Sequence, residues 1–324
     1  MKIVCPDGDP RDKEMLDPEK LEKLQQTGSF TWYEGKPNTT EELISRVQDA
    51  EGVMVMWDFP KEAMLRCENV KIICYPGTGV NKYIDLETAN KLDILVCNVP
   101  NYGANAIAEH TIALMFGLAR KITFLDRDIR NGKWSHPFLM ELRNKVIGLL
   151  GLGSIGTRVA KLANALEMKV ICWTRNPSPQ RACETGVEFV SFTDLFRKAD
   201  IVSIHLHHNT ETERIIGKKE LDLMKKGSFI INTSRGEVID TNALIYALEN
   251  KNIAGAALDV FDEEPLPAGH ILTKLTNVIL TPHIAYNTPE TTKNILDISL
   301  DNFIQYQKGL PVNAVNYEIL KNQI

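Results

Sequence analysis

Residues 145–166 read KVIGLLGLGSIGTRVAKLANAL: an apolar run, three glycines spaced G-x-G-x-x-G, then apolar residues at helical spacing. That order admits few folds. A strand that turns on Gly151 into a helix leaves the helix's first N–H groups unpaired beside the turn. Gly151 permits the tight turn, Gly153 lets the backbone approach a pyrophosphate, and Gly156 lets helix pack on strand. The first helical residues, Ser154 and Ile155, offer N–H groups and the positive end of the helix dipole to phosphates. A glycine triple in this strand–turn–helix setting predicts dinucleotide binding. The next strand, KVICWT at 169–174, would ordinarily end on an acid that holds the adenosine ribose. Here the chain reads Thr174-Arg175. Thr174 removes the repulsion toward a 2′-phosphate, and Arg175 supplies a planar cation for one. The expectation is therefore NADP(H) preferred, with NAD(H) possible.

The remaining chain repeats this alternation. Apolar runs at 2–5, 52–57, 70–75 and 94–99, with a weaker one at 30–34, are separated by helical patterns at 41–50 and 84–92. A long periodic stretch, 103–133, lacks proline and predicts one connecting helix. A second series of runs follows at 145–151, 169–174, 187–191, 200–206, 227–233, 253–260 and 278–282, with helices at 155–166, 193–198 and 241–250 and a last one near 290–308. Near-continuous apolar strands alternating with helices predict parallel sheets covered on both faces. A chain of 324 residues has room for two such domains.

A net charge of −5 argues against a general nucleic-acid binder, and no apolar run approaches the ~20 residues a membrane helix needs. The first ten residues carry acids and prolines where a secretory signal would be apolar. Six cysteines, at 5, 67, 74, 97, 172 and 183, lack C-x-x-C spacing and predict free thiols in a reducing cytoplasm. His205, His207 and His208 suggest a metal site by proximity, but no carboxylate or cysteine stands in register, so no metal is expected.

Three further stretches sit just beyond apolar runs: NTSRGEVID at 232–240, LDVFDEEPLP at 258–267 and TPHIAYNTPE at 281–290. In an open α/β sheet, the carboxyl ends of the strands are where ligands bind. Arg235, Glu264 and His283 could thus converge although they are far apart in sequence. Together with GLGSIG, these ordered motifs make the chain resemble the D-isomer-specific 2-hydroxyacid dehydrogenases, from residue 70 through 312.

The resemblance implies a Rossmann dinucleotide-binding domain (102–289) inserted in a flavodoxin-like substrate domain (1–101 and 290–324), both doubly wound. It implies that His283 is the general acid/base, that Glu264 holds its ring, and that Arg235 binds carboxylate and carbonyl. Thr78, Gly79 and Val80 fall on the family's carboxylate-gripping loop. Tyr102 matches a tyrosine of D-lactate-like members. The segment AIAEH at 106–110 matches the start of the family's interdomain helix. Thr233, Ser234 and His205 fall on cofactor-binding positions, and Asp259 on a position near the nicotinamide amide. Proline is frequent in the family where His207 stands, and aspartate where Thr174 stands.

The implied activity is reversible reduction of a small 2-oxo acid, with hydroxypyruvate, glyoxylate, pyruvate and branched acids all open. The implied assembly is a homodimer joined through 133–145. Phosphite- or formate-dehydrogenase-like activity and a non-enzymatic NAD(H)-sensing scaffold are the alternatives. Glu264 speaks against formate chemistry, whose usual residue there is glutamine.

Overall fold

The computed structural model describes residues 1–321; residues 322–324, the end of the expected 290–324 segment, lie outside the described residues. The chain divides into two compact units, Met1–Tyr102 with Thr288–Ile324, and Gly103–Asn287. Among the described residues, no helix is long and apolar enough to cross a membrane.

The first unit is built on β1 (Lys2–Gly8), β2 (Ser29–Glu34), β3 (Gly52–Met54), β4 (Ile72–Cys74) and β5 (Leu95–Cys97), in the order β2-β1-β3-β4-β5, all parallel. That is the flavodoxin-like order. Successive side chains leave opposite faces of a strand, so each strand feeds two cores. Ile3, Cys5, Met54, Ile72, Cys74 and Cys97 pack with Leu296, Leu300 and Phe303 of the helix Pro289–Gln307. Val4, Val53, Ile73 and Val96 pack on the other face with Leu43, Ile44 and Val47 of the helix Thr40–Val47.

The second unit carries β6 (Val146–Leu150), β7 (Lys169–Trp173), β8 (Glu188–Phe189), β9 (Ile201–Ile204), β10 (Phe229–Asn232), β11 (Gly255–Leu258) and β12 (Val278–Leu280). Their order is β12-β11-β10-β9-β6-β7-β8, again all parallel. The strand order reverses between β6 and β9, which makes that edge the switch point where a dinucleotide sits in doubly wound sheets. Both domains are therefore doubly wound α/β folds.

The single helix expected over 103–133 is two. Ala104–Ala119 is followed by Arg120 and by Lys121 in the left-handed region (φ 52°), and Ile122–Arg130 is a separate helix. The physical reason lies in burial. The first helix buries Leu114, Met115, Leu118 and Ala119 in the core, whereas the second buries only Asp128. Neither glycine nor proline marks the break. Among the described residues all six cysteines are free thiols as expected; five are buried, while Cys183 is exposed on the short helix Pro179–Thr185.

Candidate active site

At the end of β6, Gly151 has φ +97°, and a Cβ there would lie 2.4 Å from the carbonyl oxygen of His205. No side chain fits between these strand ends, so glycine is required on two counts. A Cβ on Gly156 would meet the Gly151 oxygen at 2.4 Å, which is the close packing of helix on turn that the sequence implied. Gly153 faces open space, with nothing within 4 Å of its virtual Cβ. The helix Ser154–Ala165 starts there without a side-chain cap. Ser154 is exposed and Ile155 half-buried, and the N–H groups of Ser154 and Ile155 donate to nothing among the described residues. An uncapped helix N-terminus beside an open glycine fits a pyrophosphate.

His205 follows β9, with its N–H on the Leu150 carbonyl (2.8 Å) and its Nε2 2.9 Å from Ser203 Oγ. Burial pushes its pKa down to about 4, so the ring is neutral near pH 7. His207 and His208 are exposed, and among the described residues no group of three or more His, Cys, Asp or Glu could hold a metal ion.

Thr174 is half-buried, and Arg175 is half-exposed with its guanidinium in an ion pair with Glu211. That partner was not legible in the sequence. Neither was Arg181, which donates to the Leu152 carbonyl inside the glycine turn (2.5 Å) and to that of Asn176 (2.6 Å).

The loops after β10, β11 and β12 leave neighbouring strands at the same sheet edge. After β10, Asn232 organises the turn: its Oδ1 accepts from Ser234 N (3.0 Å) and Ser234 Oγ (3.2 Å), and its Nδ2 donates to the Arg235 carbonyl (2.8 Å). Thr111 Oγ1 donates to the Ile107 carbonyl (2.8 Å), so Thr233, 3.0 Å away, is the donor in their mutual bond and keeps its lone pairs. Arg235 donates through Nη1 to the Ser234 carbonyl (2.7 Å), and nothing else holds its guanidinium among the described residues. Gly236 lets this turn touch the next loop, since a Cβ there would stand 2.1 Å from the Phe261 carbonyl carbon.

After β11, Glu264 accepts from Phe261 N through Oε1 (3.0 Å) and meets His283 Nδ1 through Oε2 (2.8 Å). It is Glu264, directly before the proline, and not Glu263, that makes this pair. Nδ1 is the donor to the carboxylate, which leaves Nε2 outside the pair. After β12, His283 sits in the left-handed region (φ 53°) with its N–H on the Asp259 carbonyl (2.8 Å).

The Asp259 carboxylate is fully buried. Its Oδ1 accepts from Thr281 Oγ1 (2.6 Å) and Ile284 N (3.0 Å), and its Oδ2 from Ala285 N (2.9 Å). His110 Nε2 stands 3.1 Å from Thr281 Oγ1 and 3.6 Å from Asp259 Oδ1. Asp259 thus grips the backbone on the far side of His283, and a single acceptor direction on Oδ2 is left over.

The remaining expected residues belong to the first unit. Thr78 is exposed, and the N–H groups of Thr78 and Gly79 donate to nothing among the described residues. Val80 is buried and packs with Val96 and Ile84, so its side chain anchors the loop. Tyr102 is half-buried, and its carbonyl accepts from Asn294 Nδ2 (3.4 Å).

Residues 112–285 match the family described as D-isomer specific 2-hydroxyacid dehydrogenase, NAD binding domain. Over 317 residues, 94% of this chain and 94% of its relative, the chain is 38% identical to a glyoxylate reductase of Aeropyrum pernix. A solved acyclic imino acid reductase in complex with NADPH and D-Arg is similar at 34% identity and a TM-score of 0.83, over 97% of this chain and 100% of that one. D-lactate dehydrogenase with NAD+ from Lactobacillus jensenii is similar at 30% identity and a TM-score of 0.82, over 97% and 99%.

Proposed function

This chain belongs to the D-isomer-specific 2-hydroxyacid dehydrogenase family, and on that footing we propose that it reduces a small, unphosphorylated 2-oxo acid to the D-2-hydroxy acid with NAD(P)H. The observation that carries the reading is the His283–Glu264 pair, closed through Nδ1 at 2.8 Å, at the same sheet edge as Arg235. His283 Nε2 gives the proton to the carbonyl oxygen, and takes it back in the reverse direction. Glu264 stabilises the imidazolium. Arg235 binds the carboxylate and polarises the carbonyl as negative charge develops on its oxygen. The open N–H groups of Thr78 and Gly79, with Val80 and Tyr102, take the remaining carboxylate contacts. A bound nicotinamide nucleotide supplies the hydride.

Gly151, Gly153, Ser154, Ile155 and Gly156 form the pyrophosphate turn, with His205, Thr233 and Ser234 lining the rest of the nucleotide site. The unit Gly103–Asn287 is the nucleotide domain and the other unit the substrate domain. NADP(H) is preferred: Arg175 is only half-buried, and its exposed partner Glu211 costs little to displace in favour of a 2′-phosphate. A second copy of the chain covers Trp134, Phe138 and Leu139, exposed apolar residues of the segment 133–145. Light scattering at low concentration that gives a monomer mass would remove this last assignment.

The test is a set of initial rates for glyoxylate, hydroxypyruvate, pyruvate and a branched 2-oxo acid, each with NADPH and NADH, with and without ammonium ion. Turnover without ammonium, faster with NADPH, is expected, and His283→Ala should abolish it. Turnover only with ammonium would move the reading to imino acids. No turnover at all would sink it.

A further inference from the structure

Asp7 is a buried acid for which the proposed reaction has no use. It lies on β1 near the carboxyl edge of the first unit's sheet and is 3% exposed. Its Oδ1 accepts from Met56 N (2.8 Å) and its Oδ2 from Trp57 N (2.9 Å). One carboxylate therefore holds two consecutive N–H groups of the turn that follows β3. The adjacent strand β4, paired with β3 through Met54 and Cys74, runs at the same edge into the loop 77–80. The turn gripped by Asp7 and the loop with open N–H donors thus leave neighbouring strands side by side. Trp57 is 58% exposed, so the grip fixes the backbone while the indole stands in solvent.

We propose that Asp7 is a positioning residue: its carboxylate sets the Met56–Trp57 turn as one wall of the substrate site beside the loop 77–80, and loss of its charge releases that wall. The proposal rests on the 2-oxo acid reading above, since it is the loop 77–80 that is assigned to the substrate carboxylate. Each oxygen of the ionised group accepts one N–H. Once one oxygen is protonated it loses its negative charge and must place a hydrogen of its own, so the bond it accepted is weakened.

Burial raises the Asp7 carboxyl to about 6 against the pull of these two bonds, so release falls within an accessible range. The charged and titratable groups around it are few. Asp58 adds to the rise and Lys36 opposes it; these two are paired to each other at 3.2 Å. Cys5, on the same strand, is a buried thiol that stays protonated. Arg46 holds the strand from its other side, through the Pro6 carbonyl.

Asp7→Asn places an amide where one oxygen was and mimics the protonated acid at every pH. At pH 7.5 the variant should show a KM for the 2-oxo acid raised roughly tenfold, with kcat and the KM for NAD(P)H within about twofold. The wild-type KM should rise as pH falls through about 6, and the variant's KM should stay flat over that range. A second readout needs no substrate: the emission of wild type minus Trp57→Phe should titrate near pH 6 and report the turn's release.

An unchanged substrate KM in Asp7→Asn, or the same acid-side rise in variant and wild type, overturns the proposal. If the variant does not fold, absence of the emission titration in the wild type overturns it. If the wild type turns over no 2-oxo acid, the activity reading fails and the substrate half of this proposal falls with it. The emission titration then decides the grip alone.

Discussion

Asp259→Asn separates two roles that one buried side chain could play. The carboxylate takes three hydrogen bonds, from Thr281 Oγ1 (2.6 Å), Ile284 N (3.0 Å) and Ala285 N (2.9 Å). An asparagine that keeps its oxygen at the Oδ1 position preserves the first two. It then turns its NH₂ toward the Ala285 N–H, leaving a buried donor unpaired. That costs about 1–3 kcal/mol. For a domain of this size each kcal/mol moves Tm by roughly 2–4 °C, so a fall of about 2–12 °C is expected.

Activity should fall further than stability explains. His283 is a non-glycine residue at φ 53°, a conformation that costs about 1–2 kcal/mol and holds only while its surroundings enforce it. Asp259 enforces it from both sides, through its carbonyl to His283 N and its carboxylate to the next two N–H groups. A displacement of about 1 Å in the imidazole costs on the order of 100-fold in rate. The expected result is kcat down roughly 100-fold, with the Kd for NAD(P)H, read by nucleotide fluorescence, nearly unchanged. A Tm loss with kcat within threefold of wild type would refute the idea that this grip aims the imidazole. A rise in nucleotide Kd large enough to account for the loss would instead place Asp259 at the nicotinamide amide, through its one remaining acceptor direction.

Two further predictions use measurements already within reach of the same protein. Glu211→Gln frees Arg175 from an exposed ion pair worth about 0.2–1 kcal/mol, so NADPH should bind up to about fivefold tighter and NADH equally well, while Arg175→Asp should weaken NADPH far more than NADH; equal effects on both nucleotides would defeat the 2′-phosphate assignment. His205 has its folded pKa pushed down to about 4 from 6.5, so the unfolded chain binds the extra proton and stability is lost as pH falls from about 6.5 to 4; in His205→Asn the melting temperature should fall less over that window than in wild type, and parallel curves would refute a neutral buried ring.

What the sequence alone makes legible follows a physical division. Both sheets were legible because a strand buried on two faces must be apolar throughout, and the runs at 145–151, 169–174 and 200–206 have no other use. The glycine turn was legible because only glycine tolerates φ +97° with a carbonyl 2.4 Å from its missing Cβ. The stretches that hold Arg235, Glu264 and His283 could be placed at one sheet edge because each comes after a strand, while the choice of Glu264 over Glu263 rested on the family resemblance. Local signals existed for some of what was missed: Asp17-Pro18 caps the helix Pro18–Gln26 just as Ser178-Pro179 caps Pro179–Thr185. The break at Lys121 had none. It is set by where the core ends, and a run of good helix formers does not record that.

The grips hardest to foresee are those that cross long spans of sequence. Asp7 reaches Met56, and Asp259 holds Ala285 with His110 beside it. In sequence, each of these acids is a single charge next to an apolar run, where a solvated side chain is the ordinary expectation. Their burial becomes tolerable only because remote N–H groups arrive to pair with them. The same dependence makes them informative. A carboxylate kept in a sheet edge by two borrowed N–H groups constrains the loops that lend them, and both of these lending loops border residues assigned to the substrate or the proton.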